Sequence, residues 1–302
     1  MAGSQLGLGG AGRGTWRAVS DFSPPFGDFL DVARRALAED LPSGDPTGEL
    51  VGDRPARAHL GARSSGVVAG LPCVQLVLDE AARLLGTARA QVSLVVHDGA
   101  RVAGGERLAH ISGPARTLLG GERTLLNIVG HLSGVATLTA AFVQAVAGTG
   151  AVVRDTRKTL PGLRALQKYA VRCGGGANHR MGLSDAVLVK DNHIAAFGGV
   201  KPAVAAALSA RSLEVEVEVD DLAELKEALE AGARTVLVDN MALPDIAEAV
   251  RMARRAGAKV EASGGITLAT ARAVANCGVD YLAVGALTHS APALDIGLDW
   301  SF

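Results

Sequence analysis

Two periodicities divide the chain. Over residues 28–41, apolar side chains at Phe29, Val32, Ala33, Ala36 and Leu37 recur at helical spacing. Pro42, Gly44 and Pro46 then break the pattern. Residues 56–70 read as short strands ending in GVVAG, 71–85 as a helix and 91–96 as a strand. The stretch HDGARVAGGERLAHISG reads as paired strands with glycine turns. From 115 to 148 the spacing is helical, but Gly120, Gly121, Gly130 and Gly134 interrupt it and predict two or more helices. Beyond residue 150 short apolar runs alternate with helical segments: AVVRDT, AVLVKD, LEVEVEV, TVLVDN, KVEAS and YLAVGA each precede or follow one. Four strand centres, near Val217, Val238, Val260 and Ala283, fall at almost even steps. This alternation predicts a parallel sheet with right-handed crossovers, and the even step favours an α/β barrel over an open sheet. Six strands are visible, so the barrel is incomplete or a further strand lies near 174–185.

Composition narrows this picture only a little. The 302 residues are 48% hydrophobic and 20% charged, ordinary for a globular chain. Aromatic residues make up 3%, too few for stacking platforms on single-stranded nucleic acid. A formal net charge of -1 argues against bulk nucleic-acid or membrane-surface binding. Three widely spaced cysteines, Cys73, Cys173 and Cys277, suit a reducing cytoplasm and read as small buried hydrophobes. The glycine-rich N-terminus lacks the apolar core of a signal peptide; residues 1–25 read as a disordered tail. No window holds the ~18 uninterrupted apolar residues of a membrane span.

Barrel sites lie at the C-terminal ends of the strands. Those ends carry Asp155-Thr156-Arg157-Lys158, Lys190-Asp191-Asn192, Glu218, Asp239-Asn240, Ser263-Gly264-Gly265 and Gly285. Between Arg154 and Lys190 eight basic residues are opposed only by Asp155 and Asp185. Arg164, Lys168 and Arg172 suit a solvated helix face. Arg157, Lys158 and Lys190 sit at strand ends and point to an anionic substrate. In LEVEVEVDD the valines suit the helix layer and Glu214, Glu216 and Glu218 the barrel interior, with Glu218 nearest the site. Glu218 and Asp239 either coordinate magnesium or pair with Lys158 and Lys190. The Ser263-Gly264-Gly265 turn suits a phosphate cradle, which Gly285 would complete. His179 and Arg180 follow three glycines on a loop between two site-bearing strands.

The segment DTRKTLPGLRALQKYAVRCGGGANHRMGLSDAVLVKDNH resembles the quinolinate phosphoribosyltransferase family. The likeness extends to GERTLLN at 121–127, EVEVDDL, LVDN, EASGGI and VGALTHSAPALDIGLD, and covers residue 28 onward. The long segment is specific; EASGGI is shared by several barrels. The resemblance implies an α/β sandwich domain over 26–130, an incomplete α/β (TIM-like) barrel over 131–286, and residues 287–302 packing back on the sandwich. It implies transfer of phosphoribosyl from phosphoribosyl pyrophosphate to quinolinate with Mg²⁺, giving nicotinate mononucleotide, pyrophosphate and CO₂ on the route to NAD. It also implies a homodimer whose sites are each completed by the neighbour, through Arg123.

By the same resemblance, Arg157, His179 and Arg180 bind the quinolinate carboxylates. Lys158 and Lys190 contact substrate carboxylate and pyrophosphate, while Glu218 and Asp239 face the ribose and Mg²⁺. Ser263, Gly264, Gly265 and Gly285 form the 5′-phosphate site, with His289 close by. The implied chemistry is attack of the pyridine nitrogen on the anomeric carbon, with the cationic ring then drawing electrons from the adjacent carboxylate as CO₂ leaves. Rival readings are a Schiff-base aldolase using Lys190 or Lys158, a molybdenum-transport-associated homologue of changed specificity, and a non-catalytic phosphosugar-binding protein.

Overall fold

The structure, a computed structural model, describes residues 23–210 and 213–301. Most of the expected tail, residues 1–22, lies outside the described residues. Helix α1 (Phe26–Asp40) buries Phe29, Ala33 and Leu37, the stripe its spacing predicts. The proline-rich break after it holds one short helix, α2 (Pro46–Val51). Pro46 opens it, where no intrahelical N–H is needed, and Asp45 caps it by accepting from Gly48 N–H at 2.9 Å.

Strands β1 (Pro55–Ala62) and β2 (Gly66–Val67) precede helix α3 (Cys73–Leu85), which Gly86 ends at φ 65. Then come β3 (Gln91–Leu94), β4 (Arg101–Val102) and β5 (Arg107–Pro114). β5 pairs antiparallel with both β1 and β3. The expected pairing within HDGARVAGGERLAHISG does not form: β4 pairs instead with β2, through Gly66 and Val102. Helices α1 and α3 pack on each other beside this sheet.

The two or more helices expected over 115–148 are a single helix, α4 (Ala115–Ala145). Its glycines are points of close approach rather than breaks. A Cβ would come within 2.0 Å of Pro292 O at Gly134 and 2.6 Å of Leu85 Cδ1 at Gly120. The helix is long and apolar enough to cross a bilayer, yet 61% of its most apolar stretch is buried against the rest of the protein. It touches α3 on one side and α5 (Arg164–Cys173) and α10 (Leu268–Asn276) on the other, joining the two layers of the molecule.

The second unit alternates strand and helix. Its strands are β6 (Val152–Arg154), β7 (Val187–Val189), β8 (Val215–Val219), β9 (Thr235–Asp239), β10 (Lys259–Ser263) and β11 (Tyr281–Ala283). Between them run α5, then α6 (Asp191–Phe197) with α7 (Val200–Ala210), α8 (Leu222–Glu230), α9 (Leu243–Arg255) and α10. All neighbouring strands are parallel, in the order β6-β11-β10-β9-β8-β7. First and last strands pair, but β6 and β7 do not, so the barrel is open at that one seam. The strand sought near 174–185 reduces to one bridging residue in the seam: Ala177 N–H donates to Val153 O at 2.8 Å, and Asp155 N–H to Ala177 O at 3.2 Å. After α11 (Ala286–His289), strand β12 (Ile296–Ser301) returns to pair with β1.

Candidate active site

The ends of β6 through β10 surround a basin of about 320 Å³, at the small end of the range for ligand pockets. Eight residues expected at the site line it: Arg157, Lys158, His179, Arg180, Lys190, Glu218, Asp239 and Ser263. Asp155, Leu188, Leu237, Glu261 and Ala283 line it too.

The cations differ in how they are held. Arg180 is buried and donates Nη1–H to Ala186 O at 3.1 Å, while its Nε has no partner. Arg157 Nε is likewise buried and unpartnered. Burial and the neighbouring Arg157 charge both push the Arg180 guanidinium below its usual range. Two guanidinium groups crowded together with donors to spare are a receptor for carboxylates. Lys190 Nζ pairs with Glu218 Oε2, and Lys190 N–H donates to His193 Nδ1 at 3.0 Å. Lys158 is exposed; Thr288 Oγ1 donates to its carbonyl at 2.8 Å and fixes its backbone.

Glu218 and Asp239 stand on adjacent strands, β8 and β9. Glu218 therefore pairs with Lys190, one of the two arrangements expected of it. Asn240 Nδ2 donates to Asp239 Oδ2 at 2.7 Å. One oxygen of each carboxylate, Glu218 Oε1 and Asp239 Oδ1, keeps no protein partner among the described residues. Two hard oxygen donors at the rim of an open basin fit a magnesium ion that retains its waters and takes phosphate oxygens.

The glycine turn after β10 is built against Asn240. Gly264 has φ 94, and a Cβ there would lie 2.2 Å from Asn240 Oδ1. Gly265 has φ 56 with open space beside it, which leaves backbone N–H groups approachable. Gly285 faces Lys158 and His289: an added Cβ would lie 3.2 Å from Lys158 Cδ and 3.3 Å from His289 Nε2. Gly264, Gly265, Gly285 and His289 thus flank the basin without being among its lining residues. Asn240 was absent from the expected set. It carries φ 53, and its N–H donates to Ser263 O at 3.0 Å, tying the β9 end to the glycine turn. Asparagine directly after a strand-end aspartate is the sequence signal for it, because asparagine tolerates the left-handed region.

At and beneath the basin floor lies a buried charged layer, of which sequence reading reached His179 and the inward direction of Glu216 but missed Arg154, Lys168 and Glu261 as their buried companions. Arg154 pairs with Glu261 and stacks 4.3 Å from the Tyr281 ring centroid. His179 Nε2 lies 2.7 Å from Glu216 Oε2. Lys168, expected on a solvated helix face, is 1% exposed and pairs with Asp155. The expectation failed because α5 turns that face inward, where only a paired charge is tolerated. Burial pushes Glu216 and Glu261 up to about 7 and His179 down to about 4. It also raises Asp155 and lowers Lys168, against the pull of their mutual attraction.

Arg123 is exposed on α4 and does not line the basin of its own chain. His131, given no role from sequence, contacts Gln167 Nε2 at 2.9 Å.

Comparison with known proteins adds a finding of a different kind. The family model described as quinolinate phosphoribosyl transferase, C-terminal domain, matches residues 135–299, and that of the N-terminal domain matches 45–133. The nicotinate-nucleotide pyrophosphorylase (carboxylating) of Mycobacterium leprae (strain TN) is 49% identical over 280 residues, 89% of this chain and 96% of its own length. The human protein of that name is 40% identical over 268 residues, covering 87% and 88%. Among solved structures, the nicotinate-nucleotide pyrophosphorylase from Francisella tularensis superposes with a TM-score of 0.85 at 38% identity, covering 92% of this chain and 98% of that one.

Proposed function

The chain belongs to the quinolinate phosphoribosyltransferase family, and from that premise we propose that quinolinate and phosphoribosyl pyrophosphate meet in the basin at the barrel mouth. The enzyme transfers the phosphoribosyl group to quinolinate with decarboxylation, giving nicotinate mononucleotide, pyrophosphate and CO₂ in NAD biosynthesis.

The observation that carries the placement is the pair of buried guanidinium Nε atoms, on Arg157 and Arg180, without partners in the wall of one basin. A dianionic diacid supplies the acceptors they lack. With His179 they hold the pyridine ring so that its nitrogen faces the anomeric carbon. Lys158, Gly285 and His289 on one side and the Ser263–Gly265 turn on the other receive the phosphate groups. Glu218 and Asp239 face the sugar and stabilise the positive charge that develops as pyrophosphate leaves. The same two carboxylates would hold Mg²⁺, which would supply charge neutralisation at the pyrophosphate. Once the ring nitrogen is bonded to the sugar it is cationic and stabilises the electron pair left on the adjacent carbon as CO₂ departs; a proton taken up from water at that carbon completes nicotinate mononucleotide. No protein nucleophile is needed, and Lys190 is engaged with Glu218 rather than free for imine formation.

The compartment we assign is the cytoplasm, in keeping with the free cysteines Cys73, Cys173 and Cys277. A second copy of the chain completes the basin by contributing Arg123, which is exposed and lies outside its own basin. Mixing inactive Arg123→Ala and Arg157→Ala chains tests this: in an equimolar mixture about half the dimers are mixed and each has one intact site of two, so a shared site restores about a quarter of wild-type activity, by two-fold symmetry. No recovery after confirmed subunit exchange would refute it. The activity itself is tested by CO₂ release from carboxyl-labelled quinolinate. Release that requires both phosphoribosyl pyrophosphate and Mg²⁺ is expected; release independent of either would overturn the reading.

A further inference from the structure

His179 in the basin wall is held at its ring and at both backbone groups by charged, buried side chains. Its backbone N–H donates to Asp155 Oδ1 at 2.9 Å, and its carbonyl accepts from Lys168 Nζ at 3.0 Å. Its ring nitrogen Nε2 meets Glu216 Oε2 at 2.7 Å. Asp155 is further occupied by Asn178 Nδ2 at 2.5 Å, and the same amide donates to Lys168 O at 2.8 Å. The residue is thus gripped from β6, from α5 and from β8. Lys168 and Asp155 are 1% and 0% exposed, and Glu216 is 1% exposed. The grip spans the open barrel seam, where among the described residues the single Arg154–Ala177 bridge is the only strand pairing on the segment from Ala177 to Arg180.

We infer that Glu216, together with the Asp155–Lys168 pair, positions His179 for quinolinate, although none of the three binds the substrate through its own charge. The inference rests on the reading that His179 contacts quinolinate. A carboxylate beneath a ring nitrogen fixes the ring's rotation and decides which nitrogen carries the proton. Clamping both backbone groups of the same residue fixes where the ring starts from. Asp155 lines the basin, but its two oxygens are spent on Lys168, Asn178 and the His179 N–H. Glu216, Glu261 and His179 also bring ligand atoms within 4.8 Å of one another, as a metal site would. Arg154 already supplies a permanent cation to Glu261, which favours a hydrogen-bonded layer over a second metal.

Steady-state kinetics on the full-length enzyme tests the inference with four variants. Glu216→Ala should raise KM for quinolinate about 100-fold, the order expected from an ångström-scale misplacement, and leave KM for phosphoribosyl pyrophosphate within about twofold. Glu216→Gln, which can still hydrogen-bond the ring, should recover most of the loss. His179→Ala should show the same quinolinate defect, and the double variant Glu216→Ala/His179→Ala should be no worse than His179→Ala alone, because residues acting through one another are not additive. Should Glu216→Ala not fold, Asp155→Asn/Lys168→Met, which removes both buried charges at similar volume, carries the same expectation. Equal loss for both substrates, additive single defects, or a normal quinolinate KM in a folded Glu216→Ala would overturn the inference. A stoichiometric metal lost in Glu261→Gln, read by elemental analysis, would overturn it too. A normal quinolinate KM in His179→Ala would instead defeat the reading on which it rests.

Discussion

Arg154 and Arg157 are three residues apart in sequence, and they are held in opposite ways. Arg154 is buried, paired with Glu261 and stacked on Tyr281. Arg157 stands one layer higher with a donor to spare. Glu216 and Glu218 repeat the contrast on β8, and Lys168 and Lys190 repeat it between α5 and the end of β7. On the proposed reading the upper layer binds and the lower layer, His179 apart, holds. Residue type does not separate them, and neither does having a partner, since Lys190 pairs with Glu218; depth along the strand, and with it burial, does.

The sharpest way to break that comparison is to remove one lysine from each layer. Lys168→Met leaves Asp155 buried and unpaired, and should cost about 3–5 kcal/mol of unfolding free energy. Lys190→Met removes a partly exposed ion pair and should cost less than about 1 kcal/mol. Urea denaturation of both reads the difference, and equal losses would erase the distinction between layers. Next in size, Arg157→Ala should lower kcat/KM for quinolinate about 100-fold, the value of a charge-assisted pair at about 3 kcal/mol. Its melting temperature should stay near that of the parent enzyme. A melting temperature that fell with activity would move Arg157 into the lower layer.

The smallest effect concerns pH. Burial holds Glu261 near 7 in the folded protein, with Glu216 raising it further and Arg154 and His179 pulling it down. Its unfolded value is near 4.3. A raised carboxyl stabilises the fold at low pH and loses that contribution as pH rises through the folded value. His179, lowered to about 4, acts in the opposite sense and only below about 6.5. Glu216, also raised to about 7, acts in the same sense as Glu261. Stability should therefore rise by roughly 1–2 kcal/mol from pH 7.5 to 6.5 and go on rising below it, because His179 offsets only one of the two carboxyls. Thermal melts across that window check it, and Glu261→Gln should flatten the response by about half, Glu216 supplying the rest. An unflattened response would assign the titration elsewhere.

The upper layer was legible because one rule finds it: polar residues at the C-terminal ends of alternating strands. That rule recovers Lys158, Lys190, Glu218, Asp239 and Ser263 from spacing alone. The lower layer obeys the same geometry, two residues earlier. Glu216 precedes Glu218 and Glu261 precedes Ser263 on the same inward face, since strand side chains alternate. Lys168 was beyond reach, because which face of α5 turns inward depends on how the seam between β6 and β7 is filled. The continuity of α4 was hidden for a related reason: its glycines answer to Pro292 and Leu85, which are distant in sequence.

The return of β12 to β1 bears on how the molecule comes into being. Arg63 and Asp299, which bond across those two strands, are 236 residues apart. Until Ile296–Ser301 leaves the ribosome, β1 is a bare edge, the kind of surface on which chains join wrongly. The barrel waits almost as long, since β6 takes its partner from Tyr281–Ala283. The first half of the chain therefore cannot finish folding while the second is still being made, and contacts this distant fold slowly. An enzyme so arranged closes its first-made sheet with a strand made about 236 residues later, and loss of that short stretch would leave β1 a permanent open edge.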